Sequence, residues 1–352
     1  MSLVPLRGRG VSDNPPNRFS AIAIERDGWT EDDPLPRTRF LPDDSRSLIT
    51  YNESPDVGFD ASINPYRGCE HGCAYCYARP NHEYLGFSAG LDFETKILVK
   101  ENAPVLLRRE LASPRWKPQV LALSGVTDPY QPIERRLRIT RGCLEVLAEA
   151  RNPVAIITKN HLVTRDLDLL ERFLPFRAVS VSLSLTTLDP ELQRFMEPRT
   201  SVPERRLEAI RKLSEVGIPV GVMVAPVIPG MTDHEMPRIL AAAADAGATR
   251  AGFIMLRLPY GVESLFGAWL QQHFPARKEK VLNRLRELRG GRLYEARYGA
   301  RMRGEGPFAR QVQRMFEIGC RRVGLNTGRL ALSTAHFRRP PPAGQLSLFD
   351  SL

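Results

Sequence analysis

The sequence predicts an α/β fold built on parallel strands, either an incomplete barrel or a doubly wound sheet. Two observations carry this. From about residue 61 six short β-rich runs alternate with helix-like stretches. Most of the runs are apolar without strict alternation, the pattern of parallel strands covered by helices. A chain of 352 residues, 42% apolar and 26% charged, can bury a core of one large domain or two ordinary ones.

In chain order, residues 1–60 are rich in Pro, Asp and Arg with little apolar periodicity, and are expected to form an extended arm. The strand runs follow at Ser62–Arg67, Val120–Ser124, Val154–Thr158, Val179–Leu185, Val220–Ala225 and Gly252–Leu256. Between them Pro104–Ala112, Gly142–Ala150, Leu167–Phe173, Pro203–Val216 and Met236–Asp245 read as helices. The run Val179–Leu185 alternates Ser180, Ser182 and Ser184 with Val181, Leu183 and Leu185, which puts three hydroxyls on one strand face. After Tyr260 the pattern turns helical and basic. Ala276–Arg289 sets Val281, Leu285 and Leu288 at helical spacing. A helix after Pro307 puts Phe308, Val312, Phe316 and Cys320 on one face. The stretch RRPPPAG at 338–344 reads as a stiff tether.

The formal charge is +10, and 43 of the 50 basic residues are Arg. Residues 277–339 carry 17 basic residues against five Glu, a net of +12, whereas residues 1–60 carry seven basic against 11 acidic. Such a polarised field favours a polyanion, nucleic acid first among them; a solvated helix face is the bland alternative. No apolar run reaches the length of a membrane span, and no secretory signal is visible at the start. The expected address is the cytoplasm.

Three of the five cysteines fall in Gly68-Cys69-Glu70-His71-Gly72-Cys73-Ala74-Tyr75-Cys76-Tyr77, a C-x3-C-x2-C spacing just past the end of the first strand. In a reducing compartment this suggests metal. Three thiolates can hold three irons of a cubane and leave the fourth open, whereas ordinary electron-transfer clusters use four. A zinc site completed by His71 or His82, or three packed thiols, are the alternatives.

The motif CEHGCAYCY after a strand, with an aromatic residue before the third cysteine, resembles the radical S-adenosylmethionine (radical SAM) superfamily. The longer stretch SINPYRGCEHGCAYCYARP, with TDPYQPIE at 127–134, is similar to the spore photoproduct lyase-related branch, often labelled DNA repair photolyase-like. The resemblance spans roughly residues 60–265.

The resemblance implies an incomplete (β/α)6 TIM-like barrel, a [4Fe-4S] cluster on Cys69, Cys73 and Cys76, and S-adenosylmethionine on the open iron. It implies reductive cleavage to a 5′-deoxyadenosyl radical that abstracts hydrogen from a substrate, and an electron donor such as flavodoxin or ferredoxin. Tyr75 matches the position whose backbone touches adenine. Ser124, Thr127 and Asp128 stand where the family binds the amino group, although the glycine-glycine-glutamate form is absent. Ser182 and Ser184 suit ribose or carboxylate, Arg199 suits a carboxylate clamp, and Val227 to Gly230 could frame adenine. Each also has a plain structural reading, as turn residue, satisfied serine or surface ion pair. Spore photoproduct lyase carries a hydrogen-donating cysteine where Gly125 stands here, so thymine-dimer repair by that route is not expected. Tyr77, Tyr130 and Cys143 are the alternative hydrogen donors; Cys143 and Cys320 also read as packed thiols.

Gln345-Leu346-Ser347-Leu348-Phe349 resembles the pentapeptide by which bacterial DNA-metabolism proteins bind the replication sliding clamp; docking on its own domain is the alternative. The organisation expected is an arm at 1–60, a barrel domain at 61–265, a basic helical extension at 266–337, and a tether with terminal peptide at 338–352. The function expected is radical SAM chemistry of lyase or modification type on nucleic acid, in DNA repair or base modification. A small molecule, RNA or protein substrate is the enzymatic alternative, and a non-catalytic iron-sulfur protein that binds DNA or the clamp is the other.

Overall fold

The computed structural model describes residues 5–20 and 33–341. Ten strands are present among them: β1 (Arg39–Pro42), β2 (Ile49–Tyr51), β3 (Ala61–Ile63), β4 (Tyr66–Arg67), β5 (Lys96–Val99), β6 (Leu121–Leu123), β7 (Val154–Thr158), β8 (Val179–Ser184), β9 (Val220–Val227) and β10 (Arg250–Met255). Seven form one sheet in the order β10-β9-β8-β7-β6-β3-β2. From β3 to β10 neighbours run parallel, and only β2 pairs antiparallel, with β3. The other three form a small sheet, β1-β5-β4.

The run at 62–67 is not one strand, contrary to the sequence expectation. It splits at Asn64-Pro65 into β3 of the large sheet and β4 of the small one. Pro65 has no N–H for a ladder and restricts the residue before it, so the chain changes sheets there. The arm also carries strands that the sequence does not mark. It contributes β1 and β2, and β1 pairs with β5, which the sequence reading did not mark.

Along each central strand one set of side chains faces the helices. Val154, Ile156, Val181, Leu183, Val222 and Phe253 are buried in a core with Leu144, Leu147, Ile210, Leu213 and Leu240 of the helices Ile139–Ala150, Pro203–Glu215 and Met236–Asp245. The other set faces the opposite side and is small or half-buried: Ala155, Ile157, Ser180, Ser182, Met223, Ala225 and Gly252. That face, the lumen side of the sheet, thus carries small and half-buried side chains. The serine alternation of β8 therefore serves one purpose on each face: valine and leucine pack outward, hydroxyls line the lumen.

The helices Pro275–Leu288 and Gly306–Arg322 follow the expected faces. Val281, Leu285 and Leu288 are buried in one; Val312, Phe316 and Cys320 in the other, while Arg310, Arg314, Arg321 and Arg322 are exposed. The second helix lies close on Met236–Asp245: a Cβ at Gly319 would meet Leu240 Cδ1 at 2.7 Å.

The seven-stranded sheet is open, with β2 and β10 as its edges. A clasp crosses the gap. Asp56, in the β2–β3 connection, accepts hydrogen bonds from Gly299 N at 2.6 Å and Arg301 Nε at 2.5 Å, and Arg301 also bonds Ser54 Oγ. Residues 300–303 pack on β10. Among the described residues no helix is long and apolar enough to cross a membrane.

Candidate functional site

Cys69, Cys73 and Cys76 sit in the loop after β4, at the C-terminal end of the parallel strands, with no disulfide among them. Ligand chemistry in parallel β/α sheets collects at this end. Burial pushes all three thiols above their ordinary pKa. A buried thiolate is stable only beside compensating charge or N–H groups. The loop and its neighbours supply both: the Asp128 backbone N–H donates to Cys69 and that of Ala78 to Cys76, while Lys159 and Arg206 act on Cys73. A metal centre completes such a set by deprotonating its thiols outright.

No three His, Cys, Asp or Glu side chains among the described residues converge closely enough to hold a single metal ion. A cubane asks instead for one thiolate on each of three irons, which separated sulfurs can satisfy. The two histidines weighed as zinc ligands are otherwise engaged. His82 Nε2 bonds the Lys96 carbonyl at 2.9 Å. His71 Nδ1 lies 3.4 Å from Asp128 Oδ2, and its Nε2 accepts from Asn160 Nδ2 at 3.2 Å.

The loop is held from three sides. Beneath it the buried pair Arg79–Glu94, 2.5 Å apart, ties the Cys73 carbonyl to the arm: Arg79 Nε and Nη2 donate to Cys73 O, and Glu94 accepts from Gly10 N and Val11 N. Gly10 lies so near the loop that a Cβ there would stand 1.6 Å from the Gly72 carbonyl oxygen, so only glycine fits. On the second side, the TDPYQPIE stretch is bonded to the cysteine loop. Gln131 accepts from Glu70 N and donates to Gly68 O; Glu70 accepts from Ile133 N.

On the third side lies a buried network that the sequence reading missed. Glu197, fully buried, accepts from Tyr75 Oη, Thr186 Oγ1 (2.7 Å), Lys159 Nζ (3.0 Å) and Arg206. Burial alone would raise its carboxyl; Arg206 and Lys159 outweigh that and hold it well below the ordinary range. Lys159 follows the end of β7 and reaches over the Tyr75 ring. A signal existed: Lys159 is one of seven Lys in a chain with 43 Arg, placed at the C-terminal end of a parallel strand.

Several expected roles are corrected. Asp128 does not offer a free acceptor: its carboxylate takes hydrogen bonds from Tyr130 N, Thr158 Oγ1 and Lys159 N at 2.7–2.8 Å, besides His71. Burial would raise it, but His71 and these donors hold it below the ordinary carboxylate value. Thr127 Oγ1 donates to the Tyr66 carbonyl and is buried. Arg199 pairs with Glu70 at 3.1 Å rather than standing free as a clamp. Tyr130 and Cys143 are fully buried in the core that packs the helices, where burial pushes both groups up in pKa, so neither reaches the lumen as a hydrogen donor. Cys320 is packed on its helix face.

Other residues stay near the site. Tyr77, beside Cys76, is 46% exposed and donates to the Gly125 carbonyl at 2.5 Å. Ser124 has φ 144°, a conformation that costs a non-glycine residue on the order of 1–3 kcal/mol, and such strain persists where surroundings impose it. Ser182 and Ser184 project to the lumen side of β8. Gln345, Leu346, Leu348 and Phe349 lie outside the described residues.

This arrangement agrees with what the chain is similar to. The family model "Radical SAM superfamily" matches residues 63–243, from the end of β3 through the helix Met236–Asp245. An uncharacterized protein of Mycobacterium tuberculosis (strain ATCC 25618 / H37Rv) is 40% identical over 232 residues, 65% of this chain and 67% of that one. A radical SAM Nalpha-GlyT isomerase of Pseudomonas phage M6 is 29% identical over 173 residues, 49% of this chain and 34% of its own. In fold the chain is similar to spore photoproduct lyase complexed with dinucleoside spore photoproduct, with a TM-score of 0.58 and 18% identity over 81% of this chain and 80% of that one. A [4Fe-4S] cluster supplies, when bound, the electron that cleaves S-adenosylmethionine reductively, and the three thiols with their N–H donors fit one. The match across half the chain, on the segment that carries all three cysteines, makes the protein an enzyme of the radical SAM superfamily.

Proposed function

We propose that the chain applies radical SAM chemistry to a nucleic acid, as DNA repair or base modification. One observation carries the substrate class. The basic C-terminal segment does not lie wholly on the outer layer. It sends Arg289 to bond the Leu256 carbonyl past the end of β10, at 3.0 Å, and Arg301 to the clasp across the open edge. Guanidinium charge thus lies beside Tyr77, where Arg257 stacks on the ring at 4.3 Å and Arg301 acts from the clasp. The similar lyase structure, complexed with a dinucleoside spore photoproduct, supports the same class.

In this reading the sheet works as an incomplete (β/α)6 barrel with the basic helices as an extension. Cys69, Cys73 and Cys76 hold the cluster. The backbone at Tyr75 and Ser124, and the hydroxyls of Ser182 and Ser184, orient S-adenosylmethionine in the lumen. Lys159 positions that set rather than joining it, because its ammonium is spent on Thr186 Oγ1, Glu197 and the Ala225 carbonyl beside the Tyr75 ring. Tyr77 is the hydrogen donor best placed, since the residue is partly exposed, follows Cys76 directly and is not packed in the helix-facing core. A target base enters the lumen flipped from its strand. Flavodoxin or ferredoxin delivers the electron, and the 345–349 peptide engages the sliding clamp.

Anaerobic reconstitution with iron, sulfide, dithionite and S-adenosylmethionine tests the function. 5′-Deoxyadenosine should form, and its yield should rise when DNA oligonucleotides carrying modified or damaged bases are added. Product formation indifferent to every DNA and RNA added, in a protein that binds neither, moves the substrate to a small molecule or protein.

A further inference from the structure

Near the open edge of the sheet three guanidinium groups gather without enough carboxylate to match them. Arg257 follows β10 and lies over the Tyr77 ring, its Cζ 4.3 Å from the centroid. It is half-buried, and has no hydrogen bond or ion pair to any described residue. Arg289, 4% exposed, braces it from behind by bonding Leu256 O and Ala300 O; its Nε is buried with no partner. Arg301 stands on the third side, paired with Asp56. The other carboxylates in range are Glu295 and Glu305, and Glu305 already pairs with Arg297 at 2.7 Å. Burial, and then Arg301, hold the Arg257 guanidinium below its ordinary value; burial and then Arg257 do the same to Arg289.

Bringing guanidinium groups together in partial burial is costly unless an anion joins them. The planar fork of arginine matches the oxygens of phosphate, and an aromatic floor fixes its plane. We propose that Arg257, backed by Arg289 and Arg301 and seated on Tyr77, binds one backbone phosphodiester of the substrate strand at the open edge of the barrel. This rests on the nucleic-acid reading above and adds to it where the strand crosses. With a phosphate at Arg257 the attached nucleoside hangs beside Tyr77 and Cys76, at the entrance to the lumen. The exposed arginines of Gly306–Arg322 lie on the outer layer and are not part of this contact.

The test is fluorescence anisotropy of a labelled single-stranded DNA 12-mer with the full chain, from 50 to 200 mM salt. Wild type should bind with steep salt dependence. Arg257→Gln should weaken binding about tenfold. It should also flatten the log–log salt slope by about 0.7, the share of one single-strand phosphate. Arg257→Lys should keep most of the affinity, and the double change Arg310→Gln/Arg314→Gln should leave the slope closer to wild type than Arg257→Gln does. A thermal melt of each variant separates misfolding from lost contact. Wild-type affinity in Arg257→Gln, with binding lost in the double variant, overturns the subsite but leaves the nucleic-acid reading standing. So does Arg257→Gln that loses S-adenosylmethionine in equilibrium dialysis while still binding the 12-mer, because the group then serves the cosubstrate. Displacement of the 12-mer by micromolar inorganic phosphate overturns it too, by assigning the site to a free phosphate. No binding by wild type at any salt removes the nucleic-acid reading and the subsite together.

Discussion

Two regions border the same lumen and handle charge in opposite ways. Under the cysteine loop the acidic groups are surrounded by donors. Glu94 has Arg79, Gly10 N and Val11 N; Asp128 has three hydrogen bonds and His71; Glu197 has two cations and two hydroxyls. Along the open edge Arg257 has no ion pair and the Arg289 Nε no hydrogen bond among the described residues. A polar network whose members satisfy one another holds a shape, and nothing need be added to it. A group of cations that do not is poised for a ligand. The difference separates residues that position the site from residues that meet the substrate.

The largest effect should come from the cysteines that the first region holds. Cys73→Ala should lose the iron-sulfur absorption after reconstitution and reduce 5′-deoxyadenosine to background. Undiminished product would show that this loop is not where the electron is delivered.

Next comes the cradle itself. Arg79 and Glu94 are both fully buried, and Arg79 donates twice to the Cys73 carbonyl, which also accepts from Cys76 N at 3.2 Å. Arg79→Met leaves a buried carboxylate without its cation and strips both guanidinium donors from the Cys73 carbonyl. It should cost about 3–5 kcal/mol of stability in denaturant titration, and should weaken iron retention in parallel. If Arg79→Met melts like wild type, the pair is not what holds the loop.

A smaller effect depends on pH. His82 is buried between the rings of Phe87 and Phe93, and burial drops its pKa from 6.5 to about 4. The unfolded chain therefore binds a proton that the folded chain refuses. This contribution to stability is full above pH 6.5 and is lost as pH falls toward 4, at most about 3 kcal/mol. Denaturant titrations at pH 7.5 and 5 should show a larger loss in wild type than in His82→Gln, whose amide keeps a donor for the Lys96 carbonyl. Equal losses in both would mean that His82 is protonated in the folded protein.

The sequence exposed the first region better than the second, and it did so unevenly. The cysteines and the strands were legible, because ligand spacing and apolar runs are local. Asp128 and Arg199 stand out in the sequence, but their partners do not. Whether a carboxylate is free or filled depends on Thr158, Lys159 and His71, residues from other segments. Glu197, two residues before Arg199, was passed over because nothing local marks a carboxylate that will meet Lys159 and Arg206. The break at Pro65 was legible in principle, since proline cannot continue a ladder. Arg257 was hidden by abundance: among 43 arginines only its place after a strand and over Tyr77 distinguishes it.

The smallest expected change tests the contrast most directly. Arg257→Met removes the charge and keeps an unbranched side chain over Tyr77. In the cradle the same kind of change takes the cation from a buried carboxylate and the guanidinium from the Cys73 and Gly90 carbonyls. At the rim it orphans nothing among the described residues, and it relieves the burial of an unmatched cation. Removing such a group is often neutral or slightly stabilising. The midpoint of unfolding should therefore stay within about 0.5 kcal/mol of wild type, even though oligonucleotide affinity falls. A loss near that of Arg79→Met would show that Arg257 supports the fold as the cradle arginine does, and the two regions would then differ in location only.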